Sequence, residues 1–155
     1  FDGADRAGLS PGLREALHRQ DLAAVIICPS NPYLSIDPIL AVPGVRDALA
    51  RCAAPVVAVS PIVGGQAIKG PTAKLMTELG VVPGLTAVAG HYGDLLDGLV
   101  ADTADAAEAG ELSSAGLPPH VTGAIMHSDD DRARLAGDTL AFALSRPRRS
   151  GRMAS

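Results

Sequence analysis

The chain has no tryptophan, and its 155 residues include only two phenylalanines, two tyrosines and two cysteines. So few aromatic side chains argue against a protein that stacks nucleic-acid bases, and the net charge of −4 argues the same way. Hydrophobic residues make up 47% of the chain and charged residues 19%, a composition that excludes intrinsic disorder. No apolar run approaches the roughly 18 residues that cross a bilayer. We therefore expect a soluble, acidic α/β domain with neither nucleic acid nor membrane as a partner.

The two cysteines, Cys28 and Cys52, have no cysteine or histidine nearby at a metal-binding spacing. Scarce, unpaired cysteines fit a reducing cytoplasm, and we expect both to be small core residues. The chain begins with Phe1 instead of Met, and no basic segment followed by an apolar stretch indicates a secretory signal. These features predict a piece of a longer cytoplasmic protein.

Basic residues are absent between Lys74 and Arg132, a stretch that contains ten acidic residues. Residues 146–155, by contrast, hold four arginines and no acidic residue. A short basic end of this kind is more often solvated than an anion-binding arm. We expect one domain over residues 1–145 and a disordered basic tail over 146–155.

Two continuous apolar runs, over 22–28 and 55–60, predict buried strands of a parallel sheet. A helix near 44–52 between them would complete a right-handed strand–helix–strand crossover. The remaining predicted elements are helices over 11–19, 71–79, 87–96 and from 128 onward, strands over 99–102 and 121–126, and a surface connection over 103–118. Because strands alternate with helices, the fold class is α/β with a mainly parallel sheet.

The first loop at the carboxyl end of a predicted strand, residues 29–38, is rich in proline and polar side chains. Open α/β sheets bind ligands beyond the carboxyl ends of their strands. Ser30, Asn31 and Ser35 offer hydroxyl and amide groups that either bind a polar ligand or satisfy the local backbone. The composition does not decide between these two roles.

The second loop, residues 61–70, places Gly64, Gly65 and Lys69 just before a predicted helix. Backbone N–H groups exposed by the glycines, the helix N-terminus and an ammonium group together favour an anion such as phosphate. The glycine spacing is not that of a Walker motif. Lys74, in the helix that follows, is predicted to be an exposed helix lysine.

Three further groups have two possible roles each. His91 and Tyr92 either contact a polar ring of a ligand or are structural. Asp102 and Asp105, just past a strand, either help to hold a metal ion or cap the connection. The triplet 129–131 resembles a metal cluster, but its place at a helix start favours an interaction with the helix dipole.

The strand–loop segments 28–46 and 55–71 resemble the signature sequences of the 2-phospho-L-lactate transferase family. His91-Tyr92, Asp102 and Ile125-Met126 follow in matching order, so that the resemblance covers about residues 20–144. The family's upstream glycine-rich segment and its Asn-Thr-Gly-Asp-Asp-like segment have no counterpart here. The chain thus resembles the carboxyl-terminal half of such an enzyme, which implies a Rossmann-like three-layer fold that is incomplete in this chain.

Members of this family act in coenzyme F420 biosynthesis. They transfer a phospholactyl group, or phosphoenolpyruvyl in some members, from a guanosine diphosphate conjugate to the deazaflavin alcohol Fo, releasing GMP. The resemblance implies this reaction, these two substrates, a Mg²⁺ cofactor and a homodimer for the present chain. It also implies that the metal ligands lie in the absent amino-terminal half.

The resemblance further implies a catalytic role for Lys69. The residues that it implies in substrate binding lie in the two loops and at one helix end: Ser30, Asn31, Pro32, Ser35, Ser60, Gly64, Gly65, His91 and Tyr92. Polar groups of the first loop would orient phosphate or deazaflavin groups, the two glycines would hold diphosphate oxygens with the lysine, and the His–Tyr pair would line the cleft.

Two other functions stay open. One is a CofD-like regulatory or nucleotide-binding protein without transferase activity, although such proteins carry a different second loop. The other is an inactive fragment that supplies only a packing surface. No motif distinguishes lactate, enolpyruvate and glycerate as the acid that the donor carries.

Overall fold

The computed structural model of the chain describes residues 2–147. Four parallel strands form its central sheet, which runs in the order Val25–Ile27, Val56–Val59, Gly98–Ala101 and Pro119–Val121. The strands are β1 (Val25–Ile27), β2 (Val56–Val59), β3 (Ile62–Val63), β4 (Gln66–Ala67), β5 (Gly98–Ala101) and β6 (Pro119–Val121). Strands β3 and β4 pair with each other as an antiparallel hairpin directly after β2. The predicted α/β class with a mainly parallel sheet is therefore confirmed.

Helices pack on both faces of the sheet. They are α1 (Pro11–His18), α2 (Asp37–Leu40), α3 (Val45–Arg51), α4 (Thr72–Glu78), α5 (Leu85–Tyr92), α6 (Ala106–Ser114) and α7 (Asp129–Ser145). A π-helical turn, Pro32–Ile36, leads into α2, and short 3₁₀ turns occupy Ala4–Arg6, Gly93–Leu95 and Thr103–Asp105. Within the described residues, none of the helices has the length and apolarity that a membrane span requires.

The side chains of β2 alternate between two hydrophobic cores, because successive residues of a strand face opposite sides. Val56 and Ala58 belong to the larger core, which α1, α3, α5 and α6 cover. Val57 and Val59 pack in the smaller core with Leu135 of α7. Helices on one face, the sheet, and α7 on the other face make the predicted three layers.

Strand β1 is the outer strand of the described sheet, and this position changes its burial. All four residues of β2 are buried, as predicted, but Ile26 in β1 is 37% exposed. The prediction that both cysteines lie in the core is also wrong, because Cys28 at the end of β1 is exposed whereas Cys52 is buried. Within residues 2–147, β2 lies between two strands, whereas β1 has a neighbouring strand on one side only.

The segment 103–118 is not a surface connection, because it contains α6, which packs Ala109 and Leu112 into the larger core. The last strand also differs from the prediction over 121–126. It runs over Pro119–Val121 at the edge of the sheet, where a proline is tolerated because its missing N–H need not join the ladder. The predicted basic tail over 146–155 lies outside the described residues apart from its first two.

The contact between β5 and α7 is so close that we expect it to require glycine at position 98. A methyl group at Gly98 would lie 2.7 Å from Cε1 and 2.8 Å from Cζ of Phe142. Gly98→Ala should therefore lower the free energy of unfolding by about 1–3 kcal/mol, the usual cost of overpacking. Urea denaturation followed by circular dichroism measures this change.

Gly137→Ala is the matched control, because Gly137 lies in α7 and a methyl group added there would have no atom within 4 Å outside its own helix backbone and chain neighbours. This variant should gain up to about 1 kcal/mol from helix propensity. A Gly98→Ala variant as stable as the wild type would show that Phe142 moves aside without cost.

Candidate functional site

A cavity of about 150 Å³ lies beyond the carboxyl ends of β1 and β2, where open α/β sheets bind ligands. Both loops singled out in the sequence contribute to it, together with the segment that leads from β6 into α7. Its lining residues are Pro29, Ser30, Asn31, Ser60, Pro61, Ile68, Lys69, Thr72, Ala124, Met126 and Arg132. We call it the polar cavity.

Two cationic side chains, Lys69 and Arg132, line the polar cavity, and no acidic residue of the described chain does. Lys69 forms no ion pair with any residue in the described part of the chain. Within residues 2–147, Arg132 pairs only with Asp129 one turn earlier on α7, and this pair is exposed. Since exposed ion pairs contribute little stability, both cations are available to an anionic ligand.

The amide of Asn31 has two distinct roles at the start of the π-helical turn. Its Oδ1 accepts hydrogen bonds from the backbone N–H groups of Tyr33 and Leu34, each at 3.0 Å. Its Nδ2 is buried and has no partner among the described residues. The oxygen therefore satisfies the local backbone, whereas the nitrogen is a buried donor that has no partner among the described residues, on a side chain whose residue lines the polar cavity.

The hairpin β3–β4 delivers Lys69 to the cavity. Gly64 and Gly65 form its turn, with φ values of 56° and 73°. In two-residue hairpin turns, positive φ values are adopted mainly by glycine and asparagine. The N–H of Gly64 donates to Oδ1 of Asp105 at 2.8 Å, and the hydroxyl of Ser60 exchanges two hydrogen bonds with the backbone of Ile62. These contacts hold the second loop in place. They also occupy the N–H of Gly64 and the hydroxyl proton of Ser60, so that neither donor is free for a ligand.

Asp102, at the end of β5, is a structural cap. Its Oδ1 accepts from the backbone N–H of Ala104 at 3.0 Å, and its Oδ2 accepts from that of Ala124 at 2.6 Å. Burial alone would raise the pKa of Asp102, but these hydrogen bonds outweigh it and lower the pKa. The side chain thus joins β5 to the segment that lines the polar cavity.

Asp105 is buried, and its Oδ2 has no hydrogen-bond partner among the described residues. Burial raises the pKa of this carboxyl. No three histidine, cysteine, aspartate or glutamate side chains are grouped to hold a metal ion in residues 2–147. Both oxygens of Asp102 and Oδ1 of Asp105 accept from backbone N–H groups, so that within the described residues this pair of carboxylates offers a Mg²⁺ ion only one unpartnered oxygen, Oδ2 of Asp105.

His91 and Tyr92 form a separate cluster at the end of α5. The Nε2 of His91 lies 2.9 Å from Oδ1 of Asp37, and its ring centroid is 4.5 Å from that of Tyr33. Tyr92 is buried, and this burial is the main reason that its pKa is raised, so that its hydroxyl stays protonated. Neither residue lines the polar cavity.

Sequence comparison identifies the family to which these loops belong. A family model described as 2-phospho-L-lactate transferase CofD matches residues 1–123 of the chain. The chain belongs to the CofD family. The match includes both loops and Lys69, while Arg132 and the rest of α7 lie beyond it.

Several curated relatives carry the name phosphoenolpyruvate transferase. The chain is 41% identical over 142 residues to the one from Streptomyces griseus, an alignment that covers 91% of this chain and 44% of the relative. It is 40% identical over 149 residues to the one from Thermobifida fusca, covering 96% and 44%, respectively. It is 35% identical over 147 residues to one from Mycobacterium sp. strain KMS, covering 90% and 44%. The chain therefore spans less than half the length of these relatives.

The structure brings together some of the residues that the resemblance to the CofD family singled out. Ser30, Asn31, Ser60 and Lys69 line the polar cavity. The others do not line it: Pro32, Ser35, Gly64, Gly65, His91 and Tyr92. Their substrate-binding roles stay predictions.

Sequence reasoning missed the contribution of α7 and of the segment before it. Ala124, Met126 and Arg132 line the polar cavity, as does Thr72 at the start of α4. The one available signal was that Arg132 is the first basic residue after the long acidic stretch. Lys74, as predicted, is an exposed helix lysine, and it pairs with Glu78.

Proposed function

We propose that this chain supplies the phosphate-binding part of a transferase that moves a phosphoenolpyruvyl or phospholactyl group from a guanosine diphosphate conjugate to Fo, with release of GMP. One observation carries the proposal. The two family-specific loops meet at a cavity that holds cationic side chains and, among the described residues, no acidic ones. The names of the curated relatives favour phosphoenolpyruvyl as the group transferred.

The chemistry needed is phosphoryl-type transfer, which depends mainly on positioning and on neutralising phosphate charge. A hydroxyl oxygen of Fo attacks the phosphorus that bears the acid, the bond from that phosphorus to the bridging oxygen breaks, and GMP leaves with the bridging oxygen. The hydroxyl proton passes to solvent or to a base. Lys69 would stabilise the charge that develops on the departing phosphate, and Nδ2 of Asn31 would donate to a phosphate oxygen.

The Mg²⁺ ion, the Fo site and a homodimer are further parts of this proposal. We expect the Mg²⁺ ligands to lie outside the described residues, among which no three histidine, cysteine, aspartate or glutamate side chains are grouped. No step of the mechanism above is derived through the metal.

Isothermal titration calorimetry of the chain with GDP and with Fo tests the proposal. We expect GDP to bind, because its diphosphate matches the cationic cavity. A regulatory nucleotide-binding protein would bind GDP and ignore Fo even when the longer protein is tested. Absence of binding to both ligands would instead indicate an inactive fragment and overturn the proposal. The longer protein, given Fo, Mg²⁺ and the guanosine conjugate, should release GMP.

A further inference from the structure

We propose that Arg132 binds the carboxylate of the short acid that the donor carries, and so selects donors with a carboxylate beside the diphosphate. This inference rests on the function proposed above. It assigns to the two cations of the polar cavity two different anionic groups of one substrate.

Arg132 lies at the junction of two neighbouring cavities. One is the polar cavity, and the other is an apolar cavity of about 320 Å³ between β1 and α7. Pro29, Met126 and Arg132 line both of them. The walls that belong only to the apolar cavity include Ile26 and Leu135. A ligand group beside Arg132 therefore meets a cation on one side and hydrocarbon on the other.

This environment suits a short carboxylic acid better than it suits a diphosphate. A guanidinium group presents a planar fork of N–H donors that matches the two oxygens of a carboxylate, and the few carbons of the acid can contact the apolar wall. The diphosphate has several charged oxygens and needs many polar partners. Lys69, Thr72 and Asn31, which line only the polar cavity, meet this need better.

The position of Arg132 is fixed by the start of α7. Ser128 caps the helix, since its hydroxyl accepts from the N–H of Asp131, whose carboxylate in turn accepts from the N–H of Ser128. Arg132 follows directly, and its backbone N–H donates to the carbonyl of Ser128. Its partner Asp129 is 95% exposed, so a ligand carboxylate can replace it at little cost.

The test compares two ligands by calorimetry: GDP, and a GDP-linked lactate conjugate that adds only the carboxylate-bearing group. We expect wild-type protein to bind the conjugate more tightly than GDP. Arg132→Gln should weaken conjugate binding about tenfold, the lower end of the range for a hydrogen bond to a charged group. Its affinity for GDP should change less than about twofold. Arg132→Lys keeps the positive charge but loses the planar fork of N–H donors. Its affinity for the conjugate should lie between those of wild type and Arg132→Gln.

Arg19→Gln is the matched control, because Arg19 is exposed, pairs with a nearby aspartate and lines neither cavity. It should leave both affinities unchanged. Equal weakening of GDP and conjugate by Arg132→Gln would place Arg132 on the diphosphate and overturn the inference. Unchanged affinities for both would overturn it as well, while leaving the proposed function intact. A wild-type chain that binds neither ligand would remove the proposed function and this inference with it.

Discussion

Asp102→Ala is expected to lower the free energy of unfolding by roughly 3 kcal/mol, because buried donors that lose their acceptor cost about 1–3 kcal/mol each. The side chain of Asp102 is 6% exposed and holds the backbone N–H groups of Ala104 and Ala124. Ala124 is itself buried, so that its N–H loses the acceptor that it has in the folded protein. Urea denaturation measures the change. Asp94→Ala, at an exposed position in the 3₁₀ turn before β5, is the control and should stay within about 0.5 kcal/mol of wild type.

The stabilisation by Asp102 should also depend on pH. Hydrogen bonds lower its pKa in the folded protein below the unfolded value of about 4. At pH values between the two pKa values, the unfolded state therefore binds more protons than the folded state. The contribution of Asp102 to the free energy of unfolding is complete above the unfolded pKa and is lost as the pH falls through the folded pKa. Asp102→Asn cannot titrate at this position. The stability difference between wild type and Asp102→Asn should thus shrink as the pH falls through the unfolded pKa of about 4 and on through the lower folded pKa, and a constant difference would contradict the lowered pKa.

The sequence predicted the elements whose pattern depends on local chemistry. Ser10 followed by Pro11 predicted the start of α1, and the hydroxyl of Ser10 does accept from the N–H of Leu13. The β-branched run 55–60 predicted a strand, and β2 is the fully buried centre of the sheet. These signals sufficed because capping and burial on both faces act within a few residues.

The elements that the sequence did not predict depend on contacts between distant residues. Helix α6 has little hydrophobic signal, and its position is set by Glu108, whose carboxylate accepts from the N–H groups of Leu85 and Thr86 at the start of α5. The hairpin turn is fixed by the bond from Gly64 to Asp105, which lies 41 residues away. The spacing of residues along the sequence does not predict contacts between residues so far apart.

The candidate site shows the same division. Ser30, Asn31 and Lys69 lie in loops whose composition marked them, and they line the polar cavity. Arg132 reaches that cavity only because α7 packs against β1 and β2 on the far face of the sheet. The composition of the first loop left two roles for Asn31; the structure shows that Oδ1 satisfies the local backbone, while a bond from Nδ2 to a ligand stays a prediction.

Lys69→Gln should weaken GDP binding by about 10- to 100-fold, the effect of losing a charge-assisted hydrogen bond of roughly 1.5–3 kcal/mol. The glutamine keeps a polar side chain of similar length, so the change isolates the charge. Lys69 is exposed and makes no ion pair with the described residues, which means that folding should not be affected. Calorimetry with GDP and with inorganic pyrophosphate measures the loss, and both ligands should lose affinity to the same degree.

Lys74→Gln is the matched control for this experiment. Lys74 lies five residues further on, in α4, where its side chain is 78% exposed, pairs with Glu78 and does not line the polar cavity. If any lysine attracted GDP by its charge alone, the two variants would lose a similar amount of GDP affinity. If the site is specific, only Lys69→Gln should bind GDP more weakly than wild type. Added salt should also weaken GDP binding to wild type more than to Lys69→Gln, because screening acts on the charge that this variant lacks. Undiminished GDP affinity in Lys69→Gln would place the diphosphate away from the second loop.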